Sequence, residues 1–360
     1  MPEAYTAAVD LGTTTVEMSL VRKDGTIAAK HGFLNPQIRY GSDVISRMTY
    51  LKKNPDSDSL RACVLKEMDE NIRKMLSWQA GVQYAAAERI IVTCNTVMGA
   101  IILGLPTSGL SEAPFVSPFT ETETAALTGT PMTVLPGASA FLGSDSCGGA
   151  WALQPGDGEL LMDLGTNGEM IVNSGGKLYG TSAACGPAFE NCVRARGIYG
   201  KTVISAISEL LRRNRISGDG ILSPEDALSG IESGGISVTA DILREVMTAK
   251  AALAASFTLL VRRAGLELPE LKRIYLAGGF GFHLSLRDAV TVGLIPGNLR
   301  ERVTVSGNTS LLAAEKMAAE GYDSYDAYRK KVIAMQFAGD PEYEEEFYRA
   351  LNFSNCSHIS

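Results

Sequence analysis

A strand–turn–strand pattern occurs twice in this chain of 360 residues. The first copy reads Asp10-Leu11-Gly12-Thr13-Thr14-Thr15-Val16-Glu17-Met18, and the second reads Asp163-Leu164-Gly165-Thr166-Asn167-Gly168-Glu169-Met170. In each copy an apolar run ends in a carboxylate, a turn containing glycine follows, and a second apolar run begins. The two aspartates lie 153 residues apart (163 minus 10). A repeat of that length indicates a duplicated domain rather than a solenoid.

The length of the chain also favours two domains, at roughly 150 residues per domain. The clearest linker is Gln154-Pro155-Gly156-Asp157-Gly158, which lies directly before the second copy of the pattern. We therefore expect a first domain at 1–153, a second at 158–322 and a helical tail at 323–360, with the last helices free to pack back onto the first domain.

Composition and charge narrow the class of protein. Apolar residues make up 45% of the chain and charged residues 20%, with a net charge of −7 and no run of basic residues. This argues against nucleic acid or an anionic membrane surface as the main partner. The sequence has no apolar stretch of roughly 20 residues and no signal peptide, so we expect a cytoplasmic protein. The six cysteines form no CxxC pair, which favours free thiols and predicts no intrinsic iron–sulfur cluster.

The repeated turn suits a nucleotide phosphate chain. Glycine lets the backbone turn sharply and approach a phosphate closely, and successive backbone N–H groups then point into one anion-binding concavity. The hydroxyl groups of Thr13, Thr14 and Thr166 add donors. A strand-end carboxylate repels phosphate but holds Mg²⁺, usually through the metal's waters. We therefore predict Asp10 and Asp163 as the metal-ordering and catalytic carboxylates of an ATP site, where one orders the metal and the other orients an attacking water.

A third glycine-rich turn follows a buried strand later in the chain, at Leu276-Ala277-Gly278-Gly279-Phe280-Gly281. Its place after the two hairpins is that of the adenosine-contacting turn of an actin-like fold. Ser306-Gly307-Asn308-Thr309-Ser310 then begins a helix, as the last connecting element of that fold does. Neither GxxxxGK[ST] nor GxGxxG is present, so a Walker-type loop and a Rossmann fingerprint are excluded. The predicted fold class is α/β, an actin-like ATPase fold with two RNase-H-like domains around an ATP cleft.

Several longer strings resemble one family within the acetate and sugar kinase, heat-shock chaperone and actin superfamily. The sequence resembles the ATPase portion of the reductive activators of corrinoid proteins, from about residue 5 to residue 352. Besides the hairpins, the resemblance is carried by Asn35-Pro36-Gln37, Tyr40-Gly41-Ser42-Asp43-Val44-Ile45-Ser46-Arg47, Cys94-Asn95-Thr96-Val97-Met98, Leu103-Gly104-Leu105, Ala113-Pro114-Phe115, Ser182-Ala183-Ala184-Cys185-Gly186-Pro187-Ala188-Phe189-Glu190 and the tail 337–351.

The resemblance implies an ATPase that helps to return a corrinoid protein from Co(II) to Co(I). In the family the electron normally passes through an iron–sulfur domain on the same chain. Here Met1 lies almost at the first hairpin, so we expect that domain to be missing and a separate ferredoxin-type donor to supply the electron. The second half also departs from the family at Asn191-Cys192, where a glycine is usual.

The same resemblance completes the predicted nucleotide site. It implies that Gly186 and Glu190 lie near the adenosine, with Glu190 on a ribose hydroxyl; the alternative is a first-turn carboxylate that stabilises a helix dipole. Asn95 either reaches the phosphates or only caps its helix. The residues predicted to contact ATP are Gly12, Thr13, Thr14, Thr15, Asn95, Gly165, Thr166, Asn167, Gly168, Gly186, Glu190, Gly278, Gly279 and Gly281.

Asp43 and Arg47 stand four residues apart on a predicted helix. That spacing favours a surface ion pair. Because both residues lie in one of the strings that carry the resemblance, a contact with a partner or with another domain is the alternative.

Cys185 has two interpretations, and the function has alternatives of different classes. The activators of 2-hydroxyacyl-CoA dehydratases share the hairpins and clasp one four-iron cluster in a dimer, with a cysteine near this position. Cys185 is otherwise a buried thiol. This leaves open a dehydratase-activator-like ATPase and a homodimer. A nucleotide-dependent binding or regulatory module with little hydrolysis, and a small-molecule kinase, are the further alternatives.

Overall fold

A computed structural model describes residues 4–79, 86–165, 167–185 and 200–353 of the chain. Contacts divide the chain into two compact units. The first comprises Met1–Gln154 with Asn308–Ala334, and the second comprises Pro155–Gly307 with Met335–Ser360. Within the described ranges, no helix combines the length and apolarity that a membrane span requires.

The first unit is built on a sheet of order β3-β2-β1-β4-β6-β5. Strands β1, β2 and β3 form an antiparallel meander, β4 and β6 continue it in parallel with β1, and β5 pairs antiparallel at the edge. The strands are β1 (Ala4–Leu11), β2 (Thr15–Arg22), β3 (Ile27–Leu34), β4 (Ala86–Cys94), β5 (Glu123–Leu127) and β6 (Thr130–Val134).

Helices pack onto this sheet and cover its apolar core. Two of them begin at polar caps: the Asp43 carboxylate accepts from Ser46 N before the helix Val44–Lys53, and the Asn308 side chain accepts from Leu311 N. The helices of the unit are Val44–Lys53, Ser59–Ser77, Thr96–Leu103, Ser108–Ser111, Ser144–Leu153, Thr309–Glu320 and Asp323–Arg329, with a 3-10 turn at Pro36–Arg39.

The second unit repeats the topology of the first. Its strands are β7 (Glu159–Leu164), β8 (Gly168–Ser174), β9 (Lys177–Ala183), β10 (Ile231–Ser233), β11 (Ile236–Val238), β12 (Arg273–Ala277) and β13 (Val303–Gly307). The main sheet contains the strand order β13-β12-β7-β8-β9, in which β7, β8 and β9 form the antiparallel meander and β12 and β13 run parallel to β7. Separately, β10 and β11 form a small hairpin.

The core of the second unit centres on one long helix, Ala240–Arg263, which buries an alanine- and leucine-rich face against the sheet. The other helices are Gly200–Arg212, Pro224–Ser229, Gly278–His283, Leu286–Val292 and Pro341–Arg349, with 3-10 turns at Leu268–Glu270 and Gly297–Arg302. The strand–turn–strand meander that the sequence repeat predicts therefore occurs once in each unit, at the same place in each sheet order.

The assignment of residues 308–334 differs from the division predicted from sequence, which placed 308–322 in the second domain. The structure groups this segment with the first unit. The methyl of Ala313 lies where it would be 3.0 Å from a Cβ on Gly148, and the Tyr325 hydroxyl donates to the Pro136 carbonyl at 2.5 Å. Small residues at this crossing let the two helices approach closely. A local sequence pattern does not predict this contact, because the two helices are far apart in the chain.

Candidate functional site

The first predicted turn lies between β1 and β2, at the carboxyl end of β1. Asp10 is the next-to-last residue of β1 and pairs with Thr93 of the parallel strand β4. A Cβ on Gly12 would stand 2.6 Å from the Thr15 carbonyl oxygen, so only glycine fits this turn without a shift of the backbone. Thr13 is buried in the turn, whereas Thr14 is partly exposed and Thr15 is exposed.

The Asp10 carboxylate is held by two neutral donors from the returning segment of the first unit. Ser310 Oγ donates to Asp10 Oδ1 at 2.6 Å, and Asn308 Nδ2 donates to Asp10 Oδ2 at 2.8 Å. Burial raises the pKa of Asp10 from 3.8 to about 7, against the lowering effect of these two hydrogen bonds, and the charges of Asp145 and Glu17 raise it further. Asp10 therefore exchanges a proton near neutral pH.

Asn95 caps its helix, which is one of the two roles that the sequence left open, and it also contacts the first turn. Its Oδ1 accepts from Met98 N and so caps the helix Thr96–Leu103. Its Nδ2 donates to Thr13 Oγ1 at 3.1 Å, which brings the start of that helix onto the first turn. The cap and the contact with the phosphate turn are made by opposite ends of one amide.

Asp145 is a candidate functional residue that the sequence reasoning missed. It lies in the first turn of the helix Ser144–Leu153, and a Cβ on Gly143 would be 2.7 Å from Asp145 Oδ1 and 2.6 Å from the Cα of Asn95. Burial raises the pKa of Asp145 from 3.8 to about 6, while the N–H of Ser146 opposes the shift. In a sequence, a carboxylate at a helix start is usually explained by its favourable interaction with the helix dipole. The position of Asp145 beside Asn95 becomes apparent only in the folded structure.

The second predicted turn lies at the carboxyl end of β7, in the second unit. Asp163 pairs with Ala277 of the parallel strand β12, and the Gly165 N–H donates to the Asn167 carbonyl at 2.9 Å to close the turn. Gly168 begins β8, with the Leu253 side chain only 2.5 Å from where its Cβ would stand. Thr166 lies outside the described residues.

The third glycine segment lies against the second turn. A Cβ on Gly278 would be 2.4 Å from Asp163 Oδ1 and 2.4 Å from the Leu164 carbonyl oxygen, and Gly278 has a φ of +87°. Gly279 is exposed, with nothing within 4 Å of its Cβ position, while Gly281 packs on Leu276. The segment predicted as a glycine turn is in fact the start of the short helix Gly278–His283. The chain changes direction at Gly278, and the residues after it continue as a helix.

Gly186 and Glu190 of the predicted site lie outside the described residues, as does Cys192. Cys185 is described and is buried, and burial raises the pKa of its thiol well above the usual range. A buried and protonated thiol is a poor metal ligand. Within the described ranges, no group of three or more His, Cys, Asp or Glu side chains is arranged to hold a metal ion.

The predicted surface position of Arg47 is wrong. Asp43 caps the helix Val44–Lys53, whereas Arg47 is fully buried and its Nη2 donates to the Thr13 carbonyl at 2.6 Å. The helix therefore directs Arg47 toward the first turn rather than toward solvent.

The donor set at the two turns suits phosphate and a hydrated cation. A Cβ on Gly12 or Gly278 would meet neighbouring protein atoms, so glycine at these two positions is what allows the tight turns. A single strand-end carboxylate at each turn fits Mg²⁺ held through its waters, the usual mode for this ion.

Comparison with known proteins assigns the family. The family described as the RACo middle region matches residues 5–154, and the family described as the C-terminal domain of RACo, the ASKHA domain, matches residues 157–194 and 191–358. The chain belongs to the RACo family. Membership confirms the resemblance predicted from the hairpins and the longer strings, and with it the actin-like fold class.

Individual relatives agree with the RACo assignment. The chain is 26% identical to the corrinoid activation enzyme RamQ of Eubacterium limosum, over 98% of this chain and 70% of that protein. It is 25% identical to the [Co(II) methylated amine-specific corrinoid protein] reductase of Methanosarcina barkeri, over 47% of this chain and 40% of that protein. A solved reductive activator for a corrinoid, iron–sulfur protein shares the fold, with a TM-score of 0.83 and 23% identity over 98% of this chain; the chain spans 66% of its length.

Proposed function

We propose that this chain binds Mg-ATP and couples ATP hydrolysis to the one-electron reduction of a corrinoid protein, from Co(II) to Co(I). The observation that carries the proposal is the match of RACo family models to residues 5–154 and to 157–358. The names of RamQ and of the Methanosarcina barkeri reductase give the substrate class, a corrinoid protein. We place the protein in the cytoplasm.

The residues of the first turn have distinct tasks in this proposal. Backbone N–H groups from Gly12 to Thr15 and the Thr13 hydroxyl bind phosphate oxygens, and Asn95 fixes the Thr13 side chain. Mg²⁺, when bound, neutralises phosphate charge. Asp10 in its ionised form orients the waters of that ion, and its Ser310 and Asn308 contacts hold the carboxylate in place. Asp145 lies beside Asn95, and its negative charge adds to the rise in the pKa of Asp10.

The second turn offers the same kind of phosphate contacts in this proposal. Asp163 takes the second carboxylate role, and the turn from Gly165 to Gly168 supplies further backbone donors. Gly278 lies against Asp163 and Leu164, and we propose that Gly279 and Gly281 contact the adenosine.

The electron comes from a separate donor in this proposal. Three of the described cysteines, Cys94, Cys147 and Cys185, are buried, and burial raises the pKa of each thiol well above its usual range, which disfavours the thiolate that binds iron. A ferredoxin-type protein is the donor class that we propose. One electron passes from that donor to Co(II), and ATP hydrolysis to ADP and phosphate drives the change of state that makes the step favourable.

The proposal is tested by anaerobic optical spectroscopy of a corrinoid protein prepared in the Co(II) state. With the chain, Mg-ATP and a reduced ferredoxin or titanium(III) citrate, we expect the Co(II) spectrum to convert to that of Co(I). Omission of ATP, or replacement by a non-hydrolysable analogue, should stop turnover. Asp10→Asn should lower the rate at least tenfold, whereas Asp157→Asn, an exposed carboxylate paired with Lys272, should leave it unchanged.

Two results would contradict the proposal. One is equal Co(I) formation without the chain or without ATP. The other is ATP consumption that is insensitive to the corrinoid protein and that places phosphate on an added metabolite, which is the behaviour of a small-molecule kinase.

A further inference from the structure

Three consecutive carbonyl groups of the first turn are hydrogen-bonded to the segment that follows β3. The Gly12 carbonyl accepts from Asn35 Nδ2 at 2.9 Å, the Thr13 carbonyl accepts from Arg47 Nη2 at 2.6 Å, and the Thr14 carbonyl accepts from Asn35 N at 2.8 Å. Each peptide unit of the turn is thus fixed by a donor from outside the hairpin.

Fixing a carbonyl also fixes the N–H on the other side of the same peptide plane. In a planar trans peptide the C=O of one residue and the N–H of the next point in opposite directions. The carbonyls of Gly12, Thr13 and Thr14 therefore set the N–H groups of Thr13, Thr14 and Thr15 to face away from Asn35 and Arg47. A row of N–H groups on one side of a turn is the arrangement that binds anionic oxygens.

The donors themselves are held rigidly. Asn35, Gln37 and Arg47 are all fully buried. Gln37 Oε1 accepts from Arg47 Nη1 at 2.9 Å and from Asn35 Nδ2 at 3.2 Å, and Gln37 Nε2 donates to the Leu60 carbonyl at 3.0 Å. Arg47 Nε donates to the Gly41 carbonyl at 3.0 Å. A buried network in which each member has several partners confers rigidity on what it contacts.

We propose that Arg47 is a positioning residue of the nucleotide site: with Asn35 it holds the first turn so that its N–H groups face the phosphates of ATP. This rests on the proposed nucleotide binding by the first turn. Arg47 acts through the backbone of the turn and touches no phosphate. Burying a guanidinium is costly unless its hydrogen bonds are made well, and the geometry of the turn is what these bonds specify.

A purely structural role makes a different prediction from a positioning role. If Arg47 only stabilises the unit, its replacement lowers the unfolding free energy and changes the affinity for all adenine nucleotides alike. If it orients the N–H groups, the loss falls on ligands with a phosphate chain. The ratio of the affinities for ATP and AMP separates the two, since AMP lacks the β- and γ-phosphates.

The experiment is isothermal titration calorimetry of Mg-ATP and of AMP into the full chain and its variants. Arg47→Met removes the donors while keeping an unbranched side chain. Arg61→Met is the matched control, because the Arg61 guanidinium also donates to a backbone carbonyl in the same unit, that of Ile102 at 2.9 Å. We expect Arg47→Met to weaken ATP binding about tenfold or more, equal to about 1.4 kcal/mol, with AMP binding within about twofold of wild type. Arg61→Met should change neither.

Arg47→Lys keeps the inference testable if Arg47→Met does not fold. A lysine ammonium cannot reach the carbonyls of Thr13 and Gly41 and the Gln37 amide together, so we expect an intermediate loss of ATP affinity, about threefold. Thermal unfolding without nucleotide confirms that each variant tested is folded.

A folded Arg47 variant with the wild-type ratio of ATP and AMP affinities would overturn the proposal, as would an equal loss for both ligands. These titrations contain no corrinoid protein or electron donor. A selective loss of ATP affinity therefore supports the positioning role whatever the reduction assay gives.

Discussion

Replacement of Ser310 by alanine should move the pH dependence of ATP turnover toward alkaline pH. The Ser310 hydroxyl donates to Asp10 Oδ1 at 2.6 Å and thereby stabilises the ionised carboxylate. In the wild-type protein burial raises the pKa of Asp10 to about 7, and the hydrogen bonds from Ser310 and Asn308 oppose that rise. Removing one of the two opposing bonds lets the pKa rise further.

The size of the shift follows from the strength of the bond. A hydrogen bond to a charged group contributes about 1.5–3 kcal/mol, and one pKa unit corresponds to about 1.4 kcal/mol. Ser310→Ala should therefore raise the pKa of Asp10 by about one to two units. At pH 7 the ionised fraction then falls from about one half to about one tenth or less. Since the ionised form orients the metal waters, kcat/KM at pH 7 should fall about fivefold or more and recover at higher pH.

The assay is phosphate release measured as kcat/KM from about pH 5.5 to 9.5, because this parameter reports groups of the free enzyme. Ser205→Ala is the control: the Ser205 hydroxyl also donates to a carboxylate, Asp288, at 2.9 Å, but in the second unit. An acid limb with the same midpoint in Ser310→Ala and in wild type would refute the reasoning. So would an equal shift in Ser205→Ala.

Three further predictions test other parts of the molecule. Gly278→Ala should lower the unfolding free energy by about 1–3 kcal/mol and abolish ATP binding in calorimetry, because it adds a Cβ at φ +87° in contact with neighbouring backbone. Gly279→Ala is the control, and it should fold like wild type because the space around its Cβ position is open. Arg329→Met should cost about 2 kcal/mol or more in denaturant unfolding, since it removes a buried guanidinium that donates to the Gly137 and Thr120 carbonyls. Lys330→Met should cost less than about 1 kcal/mol, because its ion pairs are exposed. Asp145→Asn should move the acid limb of kcat/KM to lower pH, opposite to Ser310→Ala, because it removes a negative charge that raises the pKa of Asp10. An acid limb that does not move would contradict this argument. An unfolded Gly279→Ala variant, or equal losses for Arg329→Met and Lys330→Met, would contradict the other two.

The sequence predicted the two-fold repeat of the fold because its signals are local. Apolar runs that end at Asp10 and Asp163 and the turns after them define strands by alternation and by turn chemistry alone. The tail was harder to place, because residues 308–334 join the first unit through contacts with segments more than 150 residues away, such as the bond from Tyr325 to Pro136. Long-range packing of this kind leaves no periodic trace in the chain.

The candidate site was predictable to a similar degree. The strand-end aspartates and the glycines followed from what a phosphate turn requires. Asp145 and Ser310 were missed, because each looks like an ordinary residue of a helix start until the fold brings it beside the first turn. The spacing of Arg47 to Asp43 predicts a surface position, whereas in the structure Arg47 is buried and donates to the Thr13 carbonyl, a contact that depends on the fold.

The measurement that tests the central claim most directly is phosphate release from ATP with and without a corrinoid protein in the Co(II) state. We predict that the Co(II) form stimulates release severalfold by the wild-type chain, that the Co(I) form does not, and that Asp163→Asn removes both the basal and the stimulated rate. Phosphate release that is indifferent to the corrinoid protein, or that survives intact in Asp163→Asn, would contradict the account.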